Sequence, residues 1–212
     1  MKTYSKIAFI GGTGKSGKFV LRHLLDLGFQ LRLLLRNPEN FFSESPLIEI
    51  VKGDARHYDA VETLLSGCGA VISTLGQPQG EPPIFSQASQ NVLKAMQQHG
   101  IDRYILTTGL QVDTPLDQKT AYTQGATDWM KANYPNTTAD KQLEYDILAK
   151  SPFNWTLVRL PMIIQTEEKI AVQTSLQDCP GTSVSATDLA YFLGDCLVAG
   201  SFSRQAPFLA NL

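Results

Sequence analysis

Short apolar runs alternate along this 212-residue chain with stretches in which apolar residues return at helical spacing. The first run, Lys6-Ile7-Ala8-Phe9-Ile10, is of the kind that forms a strand buried on both faces. Val20, Leu21, Leu24, Leu25 and Leu27 then recur at helical period until Gly28 offers a C-terminal cap. Phe29 to Leu35 predicts a second strand, stopped after Arg36 by Asn37-Pro38. Glu39 to Pro46 is a polar loop, and Ile48 to Lys52 is a third strand. Tyr58 to Ser66 predicts a helix with Val61, Leu64 and Leu65 on one face and Gly67 beyond its end.

Gly69 to Gly76 reads as a fourth strand opening into a glycine-bearing turn, and Gln77 to Pro83 as a Pro- and Gly-rich loop. Phe85, Ala88, Val92, Ala95 and Met96 mark the buried side of the next helix, with Gly100 after it. Arg103 to Thr108 is a fifth strand ending at Gly109. The least regular segment is Leu110 to Asn136, with Tyr122, Trp129 and Tyr134 among polar residues. It either covers a substrate or packs as a surface insertion.

Asp140 to Lys150 has helical character, Trp155 to Leu160 reads as a strand stopped by Pro161, and Ile170-Ala171-Val172 as a short strand. Ser185 or Thr187 can cap a last helix in which Leu189, Phe192, Leu193, Cys196 and Leu197 repeat until Gly200, and Asp188 suits its N-terminus by charge. No internal repeat interrupts the alternation. The pattern predicts an α/β fold: a Rossmann-type doubly wound parallel sheet with helices on both faces, in a single domain over residues 1–212. Residues 110–136 and 161–184 are its expected substrate-side segments.

Composition narrows the function classes. Eighteen basic against twenty acidic residues give a net charge of −2, which supplies no long-range attraction for nucleic acid or an anionic membrane. Cys68, Cys179 and Cys196 are far apart, without a C-x-x-C pair or a histidine cluster, so they read as buried thiols and no metal site is expected. His23, His57 and His99 are separated and have no partner acid or nucleophile at recognisable spacing. Met1 to Lys6 lead straight into the first strand, and no run approaches the roughly 18 apolar residues that span a bilayer, so a cytoplasmic protein is expected.

Candidate chemistry lies between the first strand and helix, where Gly11, Gly14 and Gly17 form G-x-x-G-x-x-G. Glycine there permits a tight turn, close approach of a pyrophosphate to backbone, and close packing of helix on strand, with phosphate resting on free amides at the helix N-terminus. Gly12-Thr13-Gly14-Lys15-Ser16 contains Gly-Lys-Ser, but no glycine lies five residues before Gly14, which excludes a Walker-type loop. At the end of the second strand an acid would hold a free ribose 2′-hydroxyl and an arginine a 2′-phosphate, so Arg36 favours NADP over NAD unless it is a plain surface charge. Lys15 and Arg32 could add positive charge near the same phosphates. Asp54, followed by Ala55, is placed either to bond an adenine amino group or to cap the following turn. Thr74, Leu75 and Gly76 should line the crevice opposite the glycine turn.

Together, Gly11 to Gly17, Arg36, Gly53-Asp54 and Leu157-Val158-Arg159-Leu160-Pro161 resemble the atypical short-chain dehydrogenase/reductase group. Within it the chain is similar to NmrA-like proteins and to the biliverdin reductase B/flavin reductase branch. The resemblance implies NADP(H) held by Gly11, Thr13, Gly14, Lys15, Ser16 and Gly17, with Arg36 on the 2′-phosphate, Asp54 and Ala55 at the adenine, and Thr74 to Gly76 along the ribose and phosphates. Thr108, Lys141 and Pro161 would approach the nicotinamide, Thr108 and Lys141 as catalytic groups.

The chain also departs from the group. The Tyr-x-x-x-Lys pair keeps its lysine at Lys141, but Thr137 stands four residues earlier, Tyr134 lies seven before and Tyr145 four after. Thr107-Thr108-Gly109 offers threonine where the group has serine. The implied activity is reduction of a small conjugated acceptor, a flavin, quinone or similar, with Lys141 in an electrostatic role. The alternative is an NADP(H)-binding redox sensor that acts through a protein partner without turnover.

Overall fold

In the computed structural model, residues 4–77 and 80–212 are described. The expectations for Met1 to Thr3, and for Pro78 and Gln79 within the loop from Gln77 to Pro83, lie outside them. The first half of the chain alternates as its pattern predicts: β1 (Lys6–Ile10), α1 (Gly17–Asp26), β2 (Gln30–Leu35), β3 (Ile48–Lys52), α2 (Tyr58–Leu65), β4 (Ala70–Ser73), α3 (Phe85–His99) and β5 (Arg103–Gly109). The second half comprises α4 (Ala121–Asn133), α5 (Pro135–Lys150), β6 (Asn154–Leu160), β7 (Met162–Ile164), β8 (Val172–Ser175), β9 (Ser183–Ser185), α6 (Ala186–Ala199) and β10 (Phe208–Asn211).

Eight strands form one sheet in the order β3-β2-β1-β4-β5-β6-β10-β8, and β7 pairs with β9 beside it. β1 lies in parallel register between β2 and β4, which explains why its residues are apolar on both faces. Crossing from β3 through α2 brings β4 to the far side of β1, so a crevice opens between the carboxyl ends of β1 and β4.

Alternate strand residues feed two cores. Ile7, Phe9, Leu31, Leu33, Ile72, Ile105 and Val158 pack under α1 and α6, whereas Ala8, Ile10, Val71, Tyr104, Leu106 and Leu157 pack under α2, α3 and α5. Each such aliphatic side chain contributes about 1.5–3 kcal/mol relative to exposure. The three cysteines are buried free thiols. Among the described residues no helix is long and apolar enough to cross a membrane.

Three expectations need correction. Residues 110–136 contain α4, whose inward positions are the hydroxyls Thr123 and Thr127 while Tyr122 and Trp129 face outward, an inversion of the usual apolar stripe. The helix read from Asp140 begins at Pro135, which suits a first helical position because it has no N–H to satisfy. The sheet is not wholly parallel: β8 lies at Val172–Ser175 rather than at Ile170 and runs antiparallel to β10, a strand too short for its pattern to register. At α6, Ser185 is the cap and accepts the Asp188 N–H at 2.9 Å.

Arg159, fully buried in β6, straps the second half together. Its guanidinium donates to Asp117 Oδ1 at 2.6 Å and to the carbonyls of Val112, Leu176 and Ala206, and it lies 3.6 Å from the centre of the Phe208 ring. Residues 110–118 are thereby tied to residue 176, and Gln118 N–H donates to the Gln177 carbonyl at 2.8 Å.

A second buried polar group lies between α3, α5 and β5. Ser89 Oγ donates to Glu144 Oε1 at 2.6 Å and meets the Tyr104 hydroxyl at 3.1 Å, while Glu144 Oε2 has no partner among the described residues. Burial pushes the Glu144 carboxyl up to about 7, against the pull of Ser89 and the nearby Lys141 cation.

Two outcomes follow from these buried groups. Asp117→Ala leaves the Arg159 guanidinium without its carboxylate and should lower unfolding free energy in urea by about 3–5 kcal/mol. A loss below about 1 kcal/mol, the range of an exposed pair, would show that Arg159 does not depend on Asp117. For Glu144 the folded chain keeps its proton while the unfolded chain releases it, so stability falls as pH rises from 4.5 to about 7. Glu144→Gln should remove that fall, worth up to about 3 kcal/mol, and parallel stability–pH curves for the two proteins would refute the assignment.

Candidate functional site

The site begins with a packing demand. Gly11 ends β1 at φ +82°, a left-handed conformation, and a Cβ there would lie 2.7 Å from the Thr74 carbonyl. At Gly17 a Cβ would lie 2.0 Å from the Gly11 carbonyl oxygen. Bare backbone at both positions lets α1 start against the ends of β1 and β4. Gly14 N–H closes the turn onto the Gly11 carbonyl at 3.0 Å, and Thr74 Oγ donates to the same oxygen at 3.1 Å. α1 starts with no side-chain cap and no acid in its first turn; the Gly14 and Ser16 carbonyls accept from the Lys18 and Phe19 N–H groups.

Over this turn lies a cleft of 520 Å³. Of the residues expected to bind a cofactor, Gly11, Thr13, Gly14, Arg36, Asp54, Ala55, Thr74, Leu75 and Gly76 line it. Lys15, Ser16, Gly17, Thr108, Lys141 and Pro161 are not part of its lining. Asn37, Asn40 and Phe41 complete the wall beside β2, and Gln77 and Ile84 the wall beyond β4; sequence reasoning passed over them as loop residues without a pattern.

Charge gathers at the β2 end. Arg36 Nη1 donates to Glu81 Oε1 at 2.8 Å and lies 4.0 Å from Asp54 Oδ2. Asp54 takes the turn-capping alternative, since its Oδ1 accepts the Arg56 N–H and its Oδ2 the Arg56 guanidinium, both at 2.9 Å. Hydrogen bonds from Arg36, then from Arg56, hold the Glu81 carboxyl below the usual carboxylate range. Arg56 and Glu81 carried no sequence signal. Arg32 is a correction: it pairs with Glu49 at 2.9 Å and donates to the Thr63 and Ser66 carbonyls at the end of α2, away from the cleft.

At the carboxyl end of β5, Thr108 Oγ1 and Gln111 Nε2 are buried polar atoms with no partner among the described residues. Thr108 shares the strand face of Tyr104 and Leu106, toward α3 and α5. The Lys141 ammonium stands 4.6 Å from the centre of the Phe85 ring, next in sequence to the cleft residue Ile84, and burial pushes it down. Neighbouring Asp140 fixes α5 to α3 by accepting the Phe85 and Ser86 N–H groups. The residues flanking Lys141 do not restore the Tyr-x-x-x-Lys pair: Thr137 is half-buried, Tyr134 is exposed against Trp129, and Tyr145 packs edge-on against Trp155.

An uncapped helix start, a turn of bare backbone and a long cleft fit an extended phosphate-containing cofactor. The fold recurs in solved structures. A short-chain dehydrogenase/reductase from Veillonella parvula DSM 2008, determined in complex with NADP, superposes with a TM-score of 0.81 at 16% identity, over 99% of this chain and 95% of that one. ChuY, an anaerobillin reductase from Escherichia coli O157:H7, gives a TM-score of 0.81 at 20% identity, over 97% of each chain. The oxidoreductase ylbE from Lactococcus lactis gives 0.78 at 18%, over 98% and 91%. These likenesses establish the expected Rossmann-type fold. In sequence, the model of the NAD(P)H-binding family matches residues 11–199. Because that match runs from the first glycine of the turn to the last residue of α6, the chain belongs to the NAD(P)H-binding family.

Proposed function

We propose that this protein is an NADPH-dependent oxidoreductase that passes a hydride to a small conjugated acceptor such as a flavin or a quinone. The observation that carries the reading is the cleft that runs from the Gly11–Gly14 turn, just ahead of α1, to Arg36. Bound NADPH supplies two electrons as a hydride.

The chain's own residues bind and orient. Backbone amides of the Gly11–Gly17 turn hold pyrophosphate, Arg36 pairs with the 2′-phosphate, and Thr74 to Gly76 flank the ribose and phosphates. Thr108 Oγ1 and Gln111 Nε2 offer unmet hydrogen-bonding capacity at the end of β5, where a carboxamide or an acceptor oxygen would satisfy them. A threonine hydroxyl is far too weak an acid to replace the missing phenol. The acceptor must therefore carry its new negative charge until solvent protonates it, which a conjugated ring can do. Lys141 stabilises that charge at a distance, from behind Phe85. The same lack of an acid–base group supports the second reading, a sensor that binds NADP(H) without turnover.

Two measurements test this. Calorimetry should show NADPH bound more tightly than NADH, and Arg36→Asp should weaken NADPH by about 10- to 100-fold with NADH unaffected. A variant that keeps its NADPH affinity would remove the 2′-phosphate assignment. Loss of nicotinamide absorbance on adding flavins or quinones should show steady turnover, whereas tight binding with no turnover across the panel would favour the sensor.

A further inference from the structure

Glu81 is held by two guanidinium groups, one to each oxygen. Arg36 Nη1 lies 2.8 Å from its Oε1 and Arg56 Nη2 2.7 Å from its Oε2. The three residues come from different parts of the chain: Arg36 follows β2, Arg56 follows β3, and Glu81 lies between β4 and α3. Arg56 is fixed from behind, since its Nη1 donates to Asp54 Oδ2 at 2.9 Å, and Asp54 is itself committed to the Arg56 backbone. Among the described residues the Glu81 carboxylate pairs with the two arginines, while its backbone carbonyl accepts from Gln77 Nε2 at 2.8 Å.

A pair of arginine forks gripping a planar carboxylate is also suited to a phosphate, which offers three oxygens and a charge of about −1.5 to −2 against the single charge of Glu81. Glu81 is exposed and ion pairs open to solvent are weak, so the carboxylate is displaceable.

We propose that Glu81 holds the position that the 2′-phosphate of NADPH takes, that Arg56 completes the phosphate clamp begun by Arg36, and that Glu81 thereby sets how strongly NADPH is preferred over NADH. This rests on the reading that Arg36 faces the 2′-phosphate. NADPH must displace the Glu81 carboxylate before both arginines are available to it. NADH, with no 2′-phosphate, leaves the carboxylate in place and gains nothing from either arginine.

The test is titration of NADPH and NADH into the wild-type protein, Glu81→Gln and Arg56→Met. Glu81 is exposed and both substitutions keep side-chain size, so each variant should fold. Removing the competing charge in Glu81→Gln should tighten NADPH by about three- to tenfold, the scale of two exposed ion pairs, with NADH unchanged. Arg56→Met should weaken NADPH by about tenfold, as expected for a lost charged hydrogen bond to phosphate, again with NADH unchanged. Either variant leaving the NADPH-to-NADH ratio unaltered overturns the proposal. So does weaker NADH binding in Glu81→Gln, which would mean that the carboxylate serves the ribose hydroxyls instead. Failure of the parent reading is distinct: it appears as an Arg36→Asp protein that still prefers NADPH, whatever the Glu81 and Arg56 variants do.

Discussion

The contact of three backbone segments, at Gly11, Gly17 and Thr74, is the constraint on which the rest of the cleft depends. Any side chain at Gly17 would meet the Gly11 carbonyl and the Thr74 hydroxyl, so the start of α1 can approach β1 and β4 only where Cβ is absent. That approach sets the glycine turn and, behind it, the positive end of a helix at the crevice where the strand order reverses. β1, paired on both sides and apolar on both faces, holds the turn in place from below.

The two ends of the cleft meet charge in different ways. At the β2 end, Arg36 and Glu81 are exposed and Arg56 half-buried, which suits reversible recognition of an anion. Behind the other end, Glu144 is buried and Lys141 half-buried, and desolvation moves both toward neutrality.

Arg159 plays the corresponding part for the second half of the chain. Segments that follow β5 and precede β9 have few apolar side chains with which to hold themselves, and one buried guanidinium satisfies carbonyls from both. Its own desolvation is offset by Asp117 and the Phe208 ring, which makes the strap dependent on partners.

What the sequence by itself determined is whatever local periodicity and local backbone chemistry encode. The strands from β1 to β6, the helices α1, α2, α3 and α6, the glycine turn, the Ser185 cap and the position of Arg36 after β2 were legible, because each depends on residues within a few positions of one another. Tertiary structure decided the rest. α4 escaped notice because its buried side carries threonines. β10 had no signal of its own, and the bounds and antiparallel direction of β8 come from pairing across thirty-odd residues of chain, 172–175 against 208–211. Arg56 and Glu81 look like ordinary loop charges until three strand ends converge and leave two guanidinium groups on one carboxylate. Periodicity reports which face of an element is buried; it carries no information on which distant partner arrives there, and that choice is made by packing of the whole chain.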